Sequence, residues 1–181
     1  MAEVMKGLKL IAMDVDGVLT DGVIYYASLA GKEAELRGFH VHDGQGIALA
    51  KRAGLLVSVI TAKEAKSVER RTKDLDIIEV LQGRRKKWPA MKDLMERYRL
   101  RADEVCFIGD DIADVPVLKQ VGFPVAVANA VEEVKEVAKL VTRRRGGQGA
   151  VREVVELILR RQGKWRDVLL SCYAELEAEE P

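Results

Sequence analysis

The sequence predicts a three-layer α/β/α fold in which helices cover both faces of a parallel β-sheet. Short apolar segments alternate with helical ones along the chain, and each short segment is apolar throughout rather than at every second position. Strands buried on both faces have this composition, and they are typical of parallel sheets. The 181 residues suffice for one domain, predicted over residues 1–165, with residues 166–181 as a loosely ordered C-terminal tail.

The order of the elements comes from apolar runs, helical spacing and the residues that end helices. Gly54 follows the first long helical segment and is a typical helix stop, while Pro89 suits the first turn of a later helix. The predicted elements are strand Lys9–Val15, a hairpin at about residues 23–41, helix Gly44–Ala53, strand Leu55–Ile60, helix Ala65–Leu75, strand Ile77–Leu81, helix Pro89–Tyr98, strand Glu104–Ile108, helix Ala113–Gln120, strand Val125–Val127, and helices Val131–Ala138 and Val151–Arg161.

The hairpin occupies the place where a lid domain could be inserted. Val23–Tyr26 and Ala34–Val41 have extended character and flank a turn at Ala30-Gly31-Lys32. Only about 27 residues separate Asp16 from Asp43, which is too few for a lid domain. We therefore expect a site that the chain itself leaves uncovered.

The composition argues against several classes of protein. A net charge of +1 gives no field that would attract nucleic acid. Two cysteines and two histidines are too few for a disulfide framework or a typical zinc site. No apolar stretch approaches the ~20 residues of a membrane span, and the N-terminus has no signal-peptide core. We expect a cytoplasmic protein with no nucleic-acid or membrane partner.

Polar side chains follow the predicted strands at the points where the strands end. Asp14 and Asp16 lie at the end of the first strand, Thr61 follows the second, Lys87 comes after the third, and Asp110 follows the fourth. Ligands of open parallel sheets bind outside the carboxyl ends of the strands, so these side chains should converge there.

These residue types suit phosphoryl transfer. A carboxylate can attack phosphorus to give an acyl phosphate, and a second carboxyl group can protonate the leaving oxygen. Clustered carboxylates repel one another unless a hard cation such as magnesium lies between them, and a lysine and a hydroxyl can hold phosphate oxygens. Each part alone has an ordinary structural explanation: an Asp-x-Asp turn, Thr61 as a helix N-cap, and Lys87 as solvated surface.

The joint pattern resembles the haloacid dehalogenase superfamily, whose fold is Rossmann-like. The segments that carry the resemblance are Asp14-Val15-Asp16-Gly17-Val18-Leu19-Thr20, Ile60-Thr61, Lys87, and Ile108-Gly109-Asp110-Asp111 with Asp114. The resemblance implies a magnesium-dependent phosphatase with four catalytic residues: Asp14 as nucleophile, Asp16 as general acid and base, and Thr61 and Lys87 on the phosphoryl group. It also implies that Asp14, the Asp16 backbone carbonyl and Asp110 bind Mg²⁺, with Asp111 and Asp114 supporting the metal shell.

Further segments resemble one subgroup, the phosphatases of 3-deoxy-D-manno-octulosonate 8-phosphate, a precursor in lipopolysaccharide synthesis. They are Thr20-Asp21-Gly22, Gln82-Gly83, the run from Gly146 to Glu153, and Gln162-Gly163-Lys164-Trp165. The subgroup lacks a cap domain and forms a homotetramer in which hairpins pack together. That resemblance implies a small sugar-acid phosphate as substrate and burial of the apolar hairpin residues between subunits.

One departure from the subgroup leaves the substrate open. Thr61-Ala62-Lys63 stands where Thr-Gly-Arg is usual, and lysine lacks the two-pronged geometry of arginine. A nine-carbon acid such as 2-keto-3-deoxynononate 9-phosphate, or another small sugar phosphate, is the alternative substrate. Lys63, Arg70 and Arg71 are the candidate substrate-binding residues. For His40 and His42, which the pattern places on one side of a strand, substrate contact, an interface and solvent all stay open.

A different class of function also fits a domain of this kind. Similar domains occur fused to sugar-acid cytidylyltransferases, where oligomerisation can be the main role, so a non-catalytic assembly module is the second hypothesis. Phosphate release that depends on Asp14 distinguishes the enzyme from the module.

Overall fold

The structure, a computed structural model, describes residues 2–29 and 31–178. The strands are β1 Leu10–Met13, β2 Tyr25–Leu29, β3 Lys32–Leu36, β4 Leu56–Ile60, β5 Glu79–Leu81, β6 Val105–Gly109, β7 Phe123–Ala126 and β8 Leu140–Val141. The helices are α1 Ala2–Lys6, α2 Val41–Arg52, α3 Lys66–Asp74, α4 Lys87–Tyr98, α5 Val115–Leu118, α6 Glu132–Val137, α7 Ala150–Arg161 and α8 Trp165–Ala178.

Six of the strands form one parallel sheet in the order β5-β4-β1-β6-β7-β8. The central strand β1 pairs with β4 on one side and β6 on the other, so that Met13 lies opposite Val59 and Ile108. Because the strands are parallel, the segments that follow β1, β4 and β6 leave the sheet at the same edge. The strand order also reverses beside β1, which is where open α/β sheets bind ligands.

Helices cover the two faces of this sheet. On one side α2 packs against α7, which also contacts α1 and α8, while α4, α5 and α6 form a second group. Strands β1 and β6 are buried along their whole length, and Phe107 and Phe123 are the largest fully buried side chains. The predicted three-layer α/β/α architecture is confirmed. No helix among the described residues is both long and apolar enough to cross a membrane.

The hairpin is a separate antiparallel sheet formed by β2 and β3, with Tyr25 opposite Leu36. Its strands lie closer to the turn than the sequence predicted, and Ala30 of the predicted turn is outside the described residues. Large apolar side chains on the hairpin are exposed: Val23, Tyr25, Tyr26 and Leu36. A two-stranded sheet with this surface is unlike a lid that packs on its own domain.

The predicted strand position of His40 and His42 is wrong. Strand β3 ends at Leu36, and His40 is instead the N-cap of α2, where its Nδ1 accepts the backbone N–H of His42 at 3.2 Å. The two imidazole rings meet edge to face with centroids 4.9 Å apart. The alternation of polar and apolar residues resembles a strand, but the capping bond ends the extended segment.

The C-terminal segment is helical rather than loosely ordered. Helix α8 buries Val168, and the Arg160 guanidinium lies 4.8 Å from the centroid of the Trp165 ring. Arg52 on α2 forms a two-pronged ion pair with Glu175 on α8. Residues 179–181 lie outside the described part, and the predicted domain boundaries stay a prediction.

Candidate active site

The loop after β1 is wound tightly so that Asp14 faces the sheet edge. The Asp14 backbone N–H donates to Ile108 O at 3.0 Å, and the Val15 N–H donates to Asp14 Oδ1 at 2.7 Å. The hydroxyl oxygen of Thr20 accepts the backbone N–H groups of Gly17 and Gly22 at 3.3 and 3.2 Å. Backbone bonds therefore fix the Asp14 carboxylate before any ligand binds.

Asp114 organises the loop after β6. Its side chain is fully buried, and Oδ2 accepts the backbone N–H groups of Asp110 and Asp111 at 3.0 and 3.4 Å. Asp111 is exposed and its carboxylate accepts the N–H of Ile112, so it lies beside the site without entering the acidic group. Asp114 holds the turn that presents Asp110.

Lys87 begins α4 and reaches back under the sheet edge. Its Nζ lies 2.7 Å from Asp14 Oδ2 and 2.6 Å from Asp114 Oδ1, and its side chain is 1% exposed. A lysine is almost never buried to this extent without charged partners. The predicted convergence of Asp14, Lys87 and the loop after β6 thus occurs in the structure.

Three carboxylates crowd around one point. Oxygen atoms of Asp14, Asp110 and Asp114 all lie within 4.8 Å of one another, and Asp110 Oδ1 is buried without a hydrogen-bond partner. Asp110 also presses against the loop after β1: a Cβ added to Gly17, whose φ is +87°, would lie 2.0 Å from Asp110 Oδ2. Only glycine allows this approach. The excess negative charge and the unpartnered oxygen fit a hard cation.

The pKa values reflect this crowding. Burial, followed by the charges of Asp14 and Asp114, raises the pKa of Asp110 to about 8. Burial and Asp114 likewise raise the pKa of Asp14 to about 6, although Lys87 opposes the shift. Burial disfavours the Lys87 ammonium, but Asp14 and Asp114 outweigh it and raise its pKa above the ordinary value. The single positive charge of Lys87 therefore does not offset burial and the mutual repulsion of the carboxylates.

Asp16 and Thr61 lie at the same edge of the sheet, after β1 and β4. Thr61 is buried after β4, where its N–H donates to Leu81 O at 3.0 Å. The Asp16 carboxylate turns toward the hairpin, where Arg37 Nε donates to its Oδ1 at 2.7 Å. Both residues occupy the predicted edge, while their catalytic roles stay predictions.

The predicted substrate-binding residues lie outside the acidic group. Lys63 is exposed, and Arg70, whose side chain is 80% exposed, pairs with Asp74 at 2.9 Å. Arg71 is half-buried and its guanidinium lies 5.9 Å from the centroid of the Phe39 ring. Among the described residues, no hydrogen bond or ion pair links these three side chains to the residues that converge around Asp14.

Two polar residues at the site were missed from the sequence. Asn129 joins two loops, since its Nδ2 donates to Gly17 O at 3.2 Å and its Oδ1 accepts the Gly146 N–H at 2.6 Å. Asn129 follows β7, so its place after a strand was a usable signal. Arg37 had no such signal, because it lies at the end of the hairpin.

A cleft of about 480 Å³ lies beside the site between the loop before Lys87 and α4. Its lining combines apolar residues with four basic ones, Arg84, Arg85, Lys86 and Arg97. The three clustered carboxylates do not line this cleft. The candidate active site is therefore identified by the side chains that converge at the open sheet edge, and not by a cavity.

Comparisons with known proteins agree with this geometry. Residues 53–154 match the haloacid dehalogenase-like hydrolase family. The chain is 43% identical over 159 residues to the 3-deoxy-D-manno-octulosonate 8-phosphate phosphatase of Escherichia coli K12, covering 88% of this chain and 83% of that protein. It is similar to the Moraxella catarrhalis enzyme of that name, solved with magnesium, phosphate and KDO (TM-score 0.89, 36% identity, 95% and 97% of the two chains). The cobalt-bound enzyme of Haemophilus influenzae is also similar (TM-score 0.84, 38% identity, 90% and 93% covered).

Proposed function

The chain belongs to the haloacid dehalogenase-like hydrolase family, and we propose that it hydrolyses 3-deoxy-D-manno-octulosonate 8-phosphate to the free sugar acid and phosphate. The observation that carries this proposal is the 43% identity to a phosphatase of that substrate, which extends over 88% of this chain. The convergence of Asp14, Asp110, Asp114 and Lys87 at one sheet edge supports the same reaction. The family places the chain among hydrolases, and the substrate is assigned by this similarity.

Asp14 is the nucleophile in this proposal. Its carboxylate is held by the Val15 N–H on one oxygen and by Lys87 on the other. An oxygen of Asp14 forms a bond to phosphorus while the bond from phosphorus to the sugar oxygen breaks, which gives an aspartyl phosphate. Asp16, two residues later, donates a proton to the departing oxygen. In the second step Asp16 takes a proton from water, which attacks phosphorus and releases phosphate and free Asp14.

Lys87 and Thr61 hold the transferred group. The Lys87 ammonium already contacts Asp14, so it lies close enough to donate hydrogen bonds to the oxygens of a phosphoryl group on Asp14. Asp114 keeps this ammonium in place by a second ion pair at 2.6 Å. A positive charge that is fixed before the reaction stabilises developing negative charge more than a mobile one does.

The acidic group fits magnesium. Asp14, Asp110 and the backbone carbonyl of Asp16 would bind the ion directly, and Asp111 and Asp114 would support them. The unpartnered Oδ1 of Asp110 and the raised pKa of this residue are the structural reasons. When bound, Mg²⁺ neutralises the phosphate oxygens and the carboxylates that face them.

We also propose a homotetramer in which hairpins pack together and neighbouring subunits wall the open site. The exposed Val23, Tyr25, Tyr26 and Leu36 support this arrangement. Lys63, Arg70 or Arg71 would then meet the substrate only where a neighbouring subunit closes the site. The cytoplasmic location remains a prediction from the sequence.

The test is turnover of eight- and nine-carbon keto-acid phosphates and of hexose phosphates in magnesium, with Asp14→Asn as the inactive control. We expect the largest kcat/KM for the eight-carbon ester. Preference for the nine-carbon ester would transfer the assignment to that substrate. Absence of turnover with every ester would favour the assembly module.

A further inference from the structure

The hairpin contributes one buried charged side chain to the active site, and nothing in the mechanism above uses it. We propose that Arg37 is a positioning residue for Asp16, and that it makes the orientation of this carboxylate depend on the hairpin. The inference rests on the proposed function, in which Asp16 exchanges a proton with the leaving oxygen.

Arg37 is held entirely by polar partners. Its side chain is 0% exposed, which is costly for a guanidinium unless charged or polar groups surround it. The partners are Asp16, Glu35, which accepts from Nη1, and Ser67, whose hydroxyl lies 3.5 Å from Nη1. Because these groups come from three different segments, the guanidinium has little freedom to move.

The contact with Asp16 has a defined direction. Nε of Arg37 donates to Oδ1 of Asp16 at 2.7 Å, whereas Nη2 lies 3.5 Å from Oδ2. The short bond fixes Oδ1, and in the proposed arrangement Oδ2, which has only the long contact, is the oxygen available to the leaving group. The Asp16 side chain keeps 25% of its surface exposed, so a substrate can reach it. A guanidinium orients a carboxylate along two parallel contacts, which a lysine does not do.

The partner of Asp16 belongs to the hairpin and not to the central sheet. Arg37 directly follows β3, and Glu35 lies within β3, while Ser67 belongs to α3. A shift of the hairpin would therefore move the guanidinium and release the Asp16 carboxylate from its orientation. Packing on the exposed face of the hairpin and proton transfer at Asp16 become linked through this one side chain.

The nature of the leaving group separates positioning from a merely structural role. An alkoxide, such as a sugar oxygen, needs a proton as it departs, whereas p-nitrophenolate is stable without one. Loss of a well-placed general acid therefore slows alkyl phosphates much more than p-nitrophenyl phosphate. Loss of folded protein lowers both activities by the same factor, so their ratio does not change.

The experiment compares kcat/KM for the eight-carbon ester with that for p-nitrophenyl phosphate, in Mg²⁺, on each preparation. The variants are Arg37→Met, Arg37→Lys and, as reference, Asp16→Asn. We expect Arg37→Met to lower the ratio by about 10-fold or more, in the direction of Asp16→Asn, and Arg37→Lys to lower it less. Arg101→Met is the matched control, because Arg101 also forms an ion pair, with Asp103, but on an exposed surface. Its ratio should match that of the wild type.

An unchanged ratio in the Arg37 variants would overturn the inference even if total activity falls. If Arg37→Met does not fold, Arg37→Lys decides the question, since it keeps the buried positive charge. The proposed substrate is tested separately by the wild type. Hydrolysis of p-nitrophenyl phosphate without hydrolysis of the eight-carbon ester would overturn that substrate alone, and the ratio would then be measured with a simple alkyl phosphate.

Discussion

Asp110→Asn should stabilise the metal-free protein at alkaline pH although it removes a metal ligand. Asp110 lies with Asp14 and Asp114 in one acidic group, and its pKa is raised to about 8 by burial and by these neighbours. An unfolded chain ionises this carboxyl near its ordinary value of 3.8. Between these two pKa values the carboxyl is protonated in the folded protein and ionised in the unfolded chain, so folding takes up a proton. The stability of the metal-free protein therefore falls as pH rises.

The size of the effect follows from the two pKa values. About 1.4 kcal/mol for each pKa unit between 3.8 and about 8 gives roughly 5–6 kcal/mol at full ionisation. Water reaches part of the site and screens the charge, so we expect about 2–3 kcal/mol. Asparagine carries no charge, and Asp110→Asn should recover this amount at pH 8 but only about a third of it at pH 5, because the loss of stability begins at the unfolded value of 3.8 and pH 5 lies only a short way above it.

The assay is urea unfolding of wild type and Asp110→Asn in EDTA at pH 5 and pH 8, repeated with Mg²⁺. Mg²⁺ should stabilise the wild type at pH 8, because binding to the folded state adds to its stability, and should stabilise the variant much less. Asp74→Asn is the control, since Asp74 pairs with Arg70 on an exposed helix face. A variant that is less stable than the wild type in EDTA at pH 8 would refute the electrostatic reasoning.

Three further perturbations test other parts of the structure. Lys87→Met should lower kcat by about 10²-fold or more, because a fixed cation next to Asp14 is lost, and steady-state kinetics with near-normal kcat would contradict this role. Asp43→Ala should lower the free energy of unfolding by about 2–4 kcal/mol, since the buried Asp43 carboxylate accepts the N–H groups of Gly149 and Arg152. A loss below about 0.5 kcal/mol in urea unfolding would show that these bonds contribute little. Truncation after Gly163 should lower Tm by a few degrees in calorimetry, because α8 packs on α7 and buries Val168. An unchanged Tm would mean that α8 does not stabilise the fold.

The residues predicted from sequence at the site follow strands, and this position explains why they could be found. Asp14, Thr61 and Asp110 come directly after apolar runs, and parallel pairing brings the ends of those runs to one edge. Lys87 was placed at the same edge because it follows the third predicted strand, but its burial between Asp14 and Asp114 depends on packing that no local pattern records.

The errors occur where tertiary contacts override local patterns. His40 ends an extended segment because its imidazole caps α2, although the surrounding alternation predicts a strand. Helix α8 was expected to be loosely ordered because its end is acidic, but α7 supplies a surface for Val168. Arg37 reaches Asp16 only through the fold of the hairpin, so its role could not be read from spacing along the chain.

The most direct test of the account is to identify the residue that carries phosphate during turnover. Wild-type protein is mixed with the eight-carbon ester and Mg²⁺, quenched in acid within one turnover, digested and analysed by mass spectrometry. A phosphoryl group on the peptide that contains Asp14, absent from Asp14→Asn, is the predicted result. Turnover by Asp14→Asn at the wild-type rate, or a phosphoryl group on another residue, would contradict it.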